Sequence, residues 1–383
     1  MTRPQNLVFL GLSLSSSWGN GHATTYRALL RGLAEKGHDI TFLERDVPWY
    51  RDNRDLREPD WCRLDYYSGV EDLLLRHRRT LARADAVVVG SYVPEGVMVI
   101  DRVLAHAGGL VGFYDIDTPV TLAALDRGDC SYVAARQIPM FDVVFSFASG
   151  PALKRLEQDF GAEIALPLHC MVDDERYRPL GLRRRWSLGY LGTYSPDRQP
   201  ALERLLLEPA RRLPNRQFVV AGAQYPDTIA WPANVAYVGH VAPDRHPAFY
   251  GGSLFTLNLT RLDMRMLGWS PSVRLFEAAA CGTAVISDDW DGLDSFFPRG
   301  RAILVAETAD DVVAALSGDA AVRAAEIAEA ARRLTLARHT GRHRAGELER
   351  GLALALAHVR AERPQPPSVL TEGSKHGFRP AAG

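Results

Sequence analysis

Short apolar runs alternate with helical stretches along this chain, and the alternation runs twice. Residues 6–12 form a continuous apolar run, as a strand covered on both faces requires. A Ser/Gly-rich loop follows, S-L-S-S-S-W-G-N-G-H. The stretch A-T-T-Y-R-A-L-L-R-G-L-A-E-K-G-H reads as an amphipathic helix closed at Gly37, and residues 39–44 as the next strand. That is one βαβ unit with a glycine-rich turn after its first strand. Helices are expected over 69–83, 94–106 and 151–160, and strands over 85–90, 110–114, 141–147 and 163–168. Residues 56–67 read as irregular and placed over a cleft. The charged, Pro- and Gly-containing stretch 173–186 breaks the pattern.

A second series then begins. Strands are expected over 187–191, 217–221, 234–238, 254–257, 283–287 and 302–305, with helices over 199–213 and 273–280. A run of helices fills 309–361. Two such series imply an α/β fold with two Rossmann-like domains, each an open, mostly parallel sheet covered on both faces. The expected division is an N-terminal domain over 1–175, a linker over 176–186 and a C-terminal domain over 187–345. A C-terminal helix over 346–363 and a disordered, P-Q-P-P-containing tail over 364–383 follow. Ligands of open parallel sheets sit beyond the carboxyl ends of the strands, so polar clusters just after strands are the functional candidates.

Composition narrows the classes of function. The 383 residues are 46% hydrophobic and 24% charged, enough for two cores. The net charge of −1 argues against nucleic acid and anionic membranes as general partners. Cys62, Cys130, Cys170 and Cys281 are widely spaced, which argues against a zinc site or a disulfide framework and fits a reducing cytoplasm. The N-terminal apolar run is too short for a signal peptide, and no stretch approaches membrane-span length. A cytoplasmic location is expected.

The stretch 268–294 organises the second half. Ser270, Pro271 and Ser272 are helix-start residues, and Gly282 suits a C-terminal cap. Arg274 and Glu277 lie three apart on one helical face. A surface ion pair is one reading. The other is a ligand site, with the helix start facing a phosphate and the carboxylate holding a hydroxyl pair. Four further clusters follow strands. In G-N-G-H, Gly19 and Gly21 let the backbone approach a ligand, and His22 is the general-base candidate, since imidazole takes a proton near pH 7. A tight turn with a capping His is the alternative. In Y-D-I-D-T-P, Asp115 and Asp117 alternate in direction, so one of them can hold an acceptor hydroxyl, or both can belong to a helix-capping turn. In Y-L-G-T-Y-S-P-D-R-Q, backbone amides after the strand, at Gly192 and Thr193 with Tyr194 beside them, together with Arg198 suit a diphosphate held without metal, and a Ser-Pro-Asp helix start with a surface Arg is the alternative. In L-N-L-T-R-L-D-M-R-M, Arg261 and Arg265 follow Asn258, as further phosphate ligands or as solvated loop charges.

The second half resembles the GT-B glycosyltransferases, most closely the CgeB-like, spore-maturation-type family. The matching stretches are Y-L-G-T-Y-S-P-D-R-Q, F-V-V-A-G-A-Q-Y-P, S-P-S-V-R-L-F-E-A-A-A-C-G-T and S-D-D-W. G-N-G-H and Y-D-I-D-T-P supply the N-terminal part. The resemblance implies a GT-B fold with a nucleotide sugar (UDP-, GDP- or dTDP-linked) in the C-terminal domain. A small-molecule or polymer acceptor would occupy the N-terminal domain, with no cofactor or metal. It implies that Glu277 contacts the nucleotide ribose, and that His240 lies where the nucleobase packs. Relatives of the GT4 type carry a second Glu eight residues earlier, where this chain has Trp269. Asp117 or His22 would act on the acceptor side. Three other functions fit the same pattern: a nucleotide-sugar 2-epimerase, a non-catalytic nucleotide-sugar-binding spore-type protein, and glycosylation of a modified nucleic-acid base.

Overall fold

The computed structural model describes residues 3–18 and 21–362. Gly19 and the tail 364–383 therefore lie outside the described residues. The chain forms two all-parallel sheets. The first comprises β1 (Asn6–Gly11), β2 (Asp39–Arg45), β3 (Arg63–Tyr67), β4 (Ala86–Gly90), β5 (Leu110–Asp115), β6 (Val143–Ser146) and β7 (Ala165–Pro167). Their order is β3-β2-β1-β4-β5-β6-β7. The second comprises β8 (Trp186–Leu191), β9 (Phe218–Ala221), β10 (Val235–Val238), β11 (Ser253–Asn258), β12 (Ala284–Ser287) and β13 (Leu304–Val305). Their order is β10-β9-β8-β11-β12-β13.

The apolar runs follow from this burial. Leu7, Val8, Phe9 and Leu10 of β1 are fully buried, because β2 and β4 flank the strand and helices cover its faces. The strand order reverses between β1 and β4 in the first sheet and between β8 and β11 in the second. Crevices open at these reversals, at the carboxyl ends of the strands. Topology thus selects the loops after β1 and β4 on one side of the cleft, and those after β8 and β11 on the other.

Two expectations change. Residues 56–67 are not irregular throughout, since Arg63–Tyr67 pairs with Thr41–Arg45 as an edge strand. Its sequence, R-L-D-Y-Y, is half polar because one edge meets water. Leu56, Trp61, Cys62 and Leu64 nevertheless pack on the core that holds Phe9 and Phe42. The boundary at 345 falls inside a continuous helix, Gly341–Glu362. That helix returns to the first domain, where Ala345, Leu348, Leu352 and Ala355 join Leu7 and Phe9 in one core. It lies so close to the helix His22–Glu35 that a Cβ on Gly341 would overlap the Ala28 carbonyl oxygen. Its apolar face shows in the sequence, but which sheet it covers does not.

The chain therefore crosses between domains at 168–186 and again at 338–341, and the crossings are bonded together. Val172 N–H donates to the His339 carbonyl (3.0 Å), and Gly341 N–H to the Val172 carbonyl (3.2 Å). The buried guanidinium of Arg344 completes the joint. It donates to the carbonyls of His169 (2.9 Å) and Arg338 (3.2 Å), and to Nδ1 of His339 (2.6 Å), while Glu347 balances its charge at 2.8 Å. Burial first, then the Arg344 charge, pushes the His339 pKa down to about 3, so its ring is neutral and can accept. Removing Arg344 leaves buried carbonyls without donors, at a cost on the order of 3 kcal/mol. Arg344→Ala should lower the thermal midpoint by about 5 °C or more. Arg344→Lys should recover little, because a point charge cannot span these acceptors. Differential scanning calorimetry checks both.

Candidate active site in the interdomain cleft

The second domain supplies a cationic floor. The helix Val273–Ala280 begins at Ser272, whose hydroxyl accepts from the Arg274 N–H. Arg274 sits in the first turn and points under the strand ends. Its Nε donates to the Leu191 carbonyl at the end of β8 (2.6 Å). Its Nη1 donates to Asn258 Oδ1 at the end of β11 (2.9 Å), and its guanidinium lies over the Tyr190 ring, 5.0 Å from the centroid. Beside it, Arg198 donates to the Thr193 carbonyl (2.7 Å), while its buried Nε has no partner. Neither arginine forms an ion pair among the described residues. Burial holds the Arg198 pKa down, and the charges of Arg274 and Arg261 add to that against Tyr190 and Asp197. Two neighbouring guanidiniums without a direct ion pair, one with an orphaned N–H, attract an anion.

Arg274 and Glu277 do not form the surface ion pair that their spacing allowed. Both are buried, at 8% and 5% exposure, and they point to different partners. Glu277 accepts from the Tyr250 hydroxyl (3.0 Å). His246 lies 4.0 Å away, donates from Nε2 to the Val241 carbonyl, and is bonded through Nδ1 to Tyr177. Glu277 is thereby fixed beside the loop that carries His240. His240 is exposed, and its ring lies 4.4 Å from that of Trp18, across the cleft.

The first domain supplies carboxylates. Asp115 ends β5 fully buried, accepting from Thr121 Oγ1 (2.8 Å) and the Asp117 N–H (3.2 Å). Burial pushes its pKa up to about 7, with the Asp117 charge adding to the shift against its hydrogen bonds. Asp117 turns the other way, toward the cleft. It accepts from Tyr92 Oη (2.9 Å) and pairs with Arg261 of the other domain (2.8 Å). Burial raises its pKa, and Arg261 and Tyr92 oppose the rise.

Three expectations for the site are corrected. His22 was read as a base titrating near neutrality. Burial, reinforced by the Arg261 charge, pushes its pKa down to about 3. The ring packs edge-on to Tyr92, with centroids 5.3 Å apart. It is a neutral hydrogen-bonding group and a poor base. The loop after β1 was read as letting its backbone approach a ligand, but the amides of its first residues are already occupied. Leu14 N–H (2.7 Å), Ser15 N–H (2.8 Å) and the hydroxyls of Ser13 and Ser15 all donate to the buried carboxylate of Glu44, at the end of β2. Gly21 borders this loop as the residue before the helix His22–Glu35. Arg261 and Arg265, grouped in the sequence as phosphate ligands, are separated. Arg261 goes to Asp117, and Arg265 leans toward Glu307 at 3.7 Å.

Gly192, Thr193, Arg198, Ser272 and Arg274 do come together around the turn after β8, but the Gly192 and Tyr194 amides read as phosphate donors already donate to the Ala221 (2.8 Å) and Ala223 (2.9 Å) carbonyls, because the turn continues the pairing with β9. The Tyr225 ring lies 5.5 Å from that of Tyr194, and its hydroxyl donates to the Gly192 carbonyl. Trp269 is built in at high conformational cost. Its φ is +44°, and Cβ atoms on Gly150 and Gly292 would come within 3.0 Å and 2.5 Å of its indole. Ser149 N–H of the first domain donates to its carbonyl (3.1 Å). An indole wedged between the domains therefore stands where the resemblance implied a carboxylate. Tyr92, Tyr190 and Tyr250 escaped the sequence reading. Tyr92 follows a strand and was findable there, whereas Tyr190 and Tyr250 lie within apolar runs that carry no signal.

Residues 198–350 match the family model described as "Glycosyl transferase-like". No curated protein matches the chain. Among solved structures, the sucrose-phosphate synthase of Thermosynechococcus elongatus superposes with a TM-score of 0.68 at 13% identity, over 92% of this chain and 100% of that one. An α-glucosyltransferase in complex with UDP-glucose and DNA containing an abasic site gives 0.68 at 13%, over 91% and 98%. Anabaena HepE in complex with UDP and glucose gives 0.64 at 11%, over 91% and 100%. The fold is GT-B, with a glycosyl transferase-like domain in its second half, and the activity class is glycosyl transfer.

Asp115 makes stability depend on pH. Unfolded, its carboxyl titrates near 3.8, and folded, near about 7. Between those values the folded chain holds a proton that the unfolded chain lacks, so stability falls as pH rises, by at most about 1.4 kcal/mol per unit. Asp115→Asn should flatten this part of the curve in urea unfolding between about pH 4 and 8. His22→Asn should leave the shape of the activity profile between about pH 5 and 8 unchanged, since the native ring does not titrate there.

Proposed function

We propose that the protein transfers a glycosyl group from a nucleoside-diphosphate sugar to an acceptor hydroxyl, without a metal, as a cytoplasmic enzyme of the CgeB-like kind. The observation that carries this reading is the pair Arg198 and Arg274, one half-buried with an orphaned Nε and the other buried, neither in a direct ion pair and both at the Gly192–Thr193 turn. Two fixed guanidiniums supply the charge that a divalent ion otherwise brings to a leaving diphosphate. The donor ribose would lie against Glu277 and the base beside His240. UDP is the first nucleotide to try, because HepE and the α-glucosyltransferase were both solved with UDP or UDP-glucose.

In the reaction, the acceptor oxygen attacks the anomeric carbon and forms the new C–O bond. The bond from that carbon to the diphosphate oxygen breaks, and its electron pair leaves with the diphosphate toward Arg198 and Arg274. The acceptor proton passes to Asp117, the carboxylate that faces the cleft. His22, neutral, holds a sugar hydroxyl. The rim of the first domain bears on the nucleic-acid alternative. Arg27 pairs with Asp55, and Arg51 and Arg54 pair with Asp46, so these arginines are engaged within the fold. Phosphate-backbone binding needs free ones.

A thermal-shift panel of UDP, GDP and dTDP, free and sugar-linked, tests the donor. At least one should stabilise the protein, and no shift with any of them would sink the reading. Arg198→Ala and Glu277→Ala should each weaken that nucleotide by about tenfold or more, with thermal midpoints within a few degrees of wild type. Product analysis with donor alone separates transfer from 2-epimerisation, since the epimerase releases an epimerised nucleotide sugar without acceptor.

A further inference from the structure

Tyr92 stands two residues beyond β4, on one lip of the crevice in the first sheet. Its φ is +63°, a conformation that strains a bulky aromatic residue. Strain of this kind persists only where surrounding contacts hold it. Here they are specific. The ring packs edge-on to His22 and lies tilted against Tyr132, with centroids 4.5 Å apart, and the hydroxyl donates to Asp117 Oδ2 (2.9 Å). Tyr132 is itself bonded to Thr121, which donates to the buried Asp115. One side chain thus touches both acceptor-side groups, from a backbone conformation that an ordinary packing residue would not need.

We propose that Tyr92 is a positioning residue, whose left-handed backbone aims its ring and hydroxyl so that His22 and Asp117 face the cleft in fixed orientation. The inference rests on the glycosyl-transfer reading of the site. Asp117 then has two donors from opposite directions, Tyr92 of its own domain and Arg261 of the other. Arg261 reaches Asp117 from the other domain, whereas Tyr92 is built into the same sheet end as Asp117 and aims its carboxylate from within one domain. The other charged groups around this carboxylate are Asp115, two residues away, and Asp263, across the cleft. Both are acidic and, with burial, oppose its ionisation, and the two donors work against that rise.

Tyr92→Phe removes the hydroxyl and keeps the ring. A hydrogen bond to the charged form lowers a carboxyl pKa, so its loss should raise that of Asp117. The test has two arms. In the first, Asp117 is titrated in wild type and Y92F by carboxyl ¹³C NMR on the full chain, with D117N assigning the resonance. The expected result is a midpoint displaced to higher pH in Y92F, and an unchanged midpoint would overturn the proposal. In the second, nucleoside diphosphate release from UDP-glucose is followed with water as acceptor. The expected result is a kcat lower by about tenfold, a KM for UDP-glucose within about twofold, an acid limb moved to higher pH and an unchanged thermal midpoint. A wild-type kcat and acid limb, or a loss matched by a fall in the midpoint, would overturn it. If no nucleotide sugar binds the wild-type chain, the transfer reading falls, and the NMR titration still decides the role of Tyr92.

Discussion

The joint at Arg344 sets the frame for everything else. The chain leaves the first domain after β7 and returns before the helix Gly341–Glu362, and one buried guanidinium holds the carbonyls of both crossings. The cleft contacts depend on that register. Arg261 reaches Asp117, Trp18 reaches His240, and Ser149 reaches the backbone of Trp269, each pair drawn from opposite domains. A small rotation at the joint would part all three, because hydrogen bonds and ring contacts lose most of their strength within about an ångström.

Charge is distributed unequally across this cleft. The second domain presents guanidiniums that carbonyls and a tyrosine ring support without neutralising. The first presents carboxylates held by hydroxyls, one of them protonated near neutral pH through burial. Such an arrangement suits a reaction in which negative charge develops on one side and a proton is released on the other. The two Rossmann-like domains have diverged in how they use the same loop. After β1 the amides are filled by Glu44, whereas after β8 the Gly192 and Tyr194 amides donate to the Ala221 and Ala223 carbonyls and the turn lies beside Arg198 and Arg274.

Much of this arrangement was legible beforehand. Periodicity marks the buried strands because both faces of a parallel sheet are covered, and Ser272 with Gly282 brackets the helix Val273–Ala280 by cap chemistry alone. Edge strand β3 was not legible, since water on one side removes the apolar signal. Arg274 and Glu277 looked like partners because helical spacing brings them to one face, yet burial gave each a better partner from a distant strand or helix. His22 looked like a base because imidazole usually titrates near neutrality. Its ionisation depends first on burial and then on the arginine opposite, and neither can be read from its neighbours in sequence.

The sequence by itself determined the elements, their parallel arrangement in two domains, and the loops where ligands can bind. Those properties are local, arising from residue periodicity, caps and turns. The tertiary structure alone decided which charges remain unpaired. Arg198 and Arg274 are left without carboxylates while Arg261 is matched to Asp117, and Trp269 is wedged between Gly150 and Gly292. The reason is physical. Pairing, burial and protonation depend on which side chains meet across tens or hundreds of residues, and only the packed chain fixes those distances.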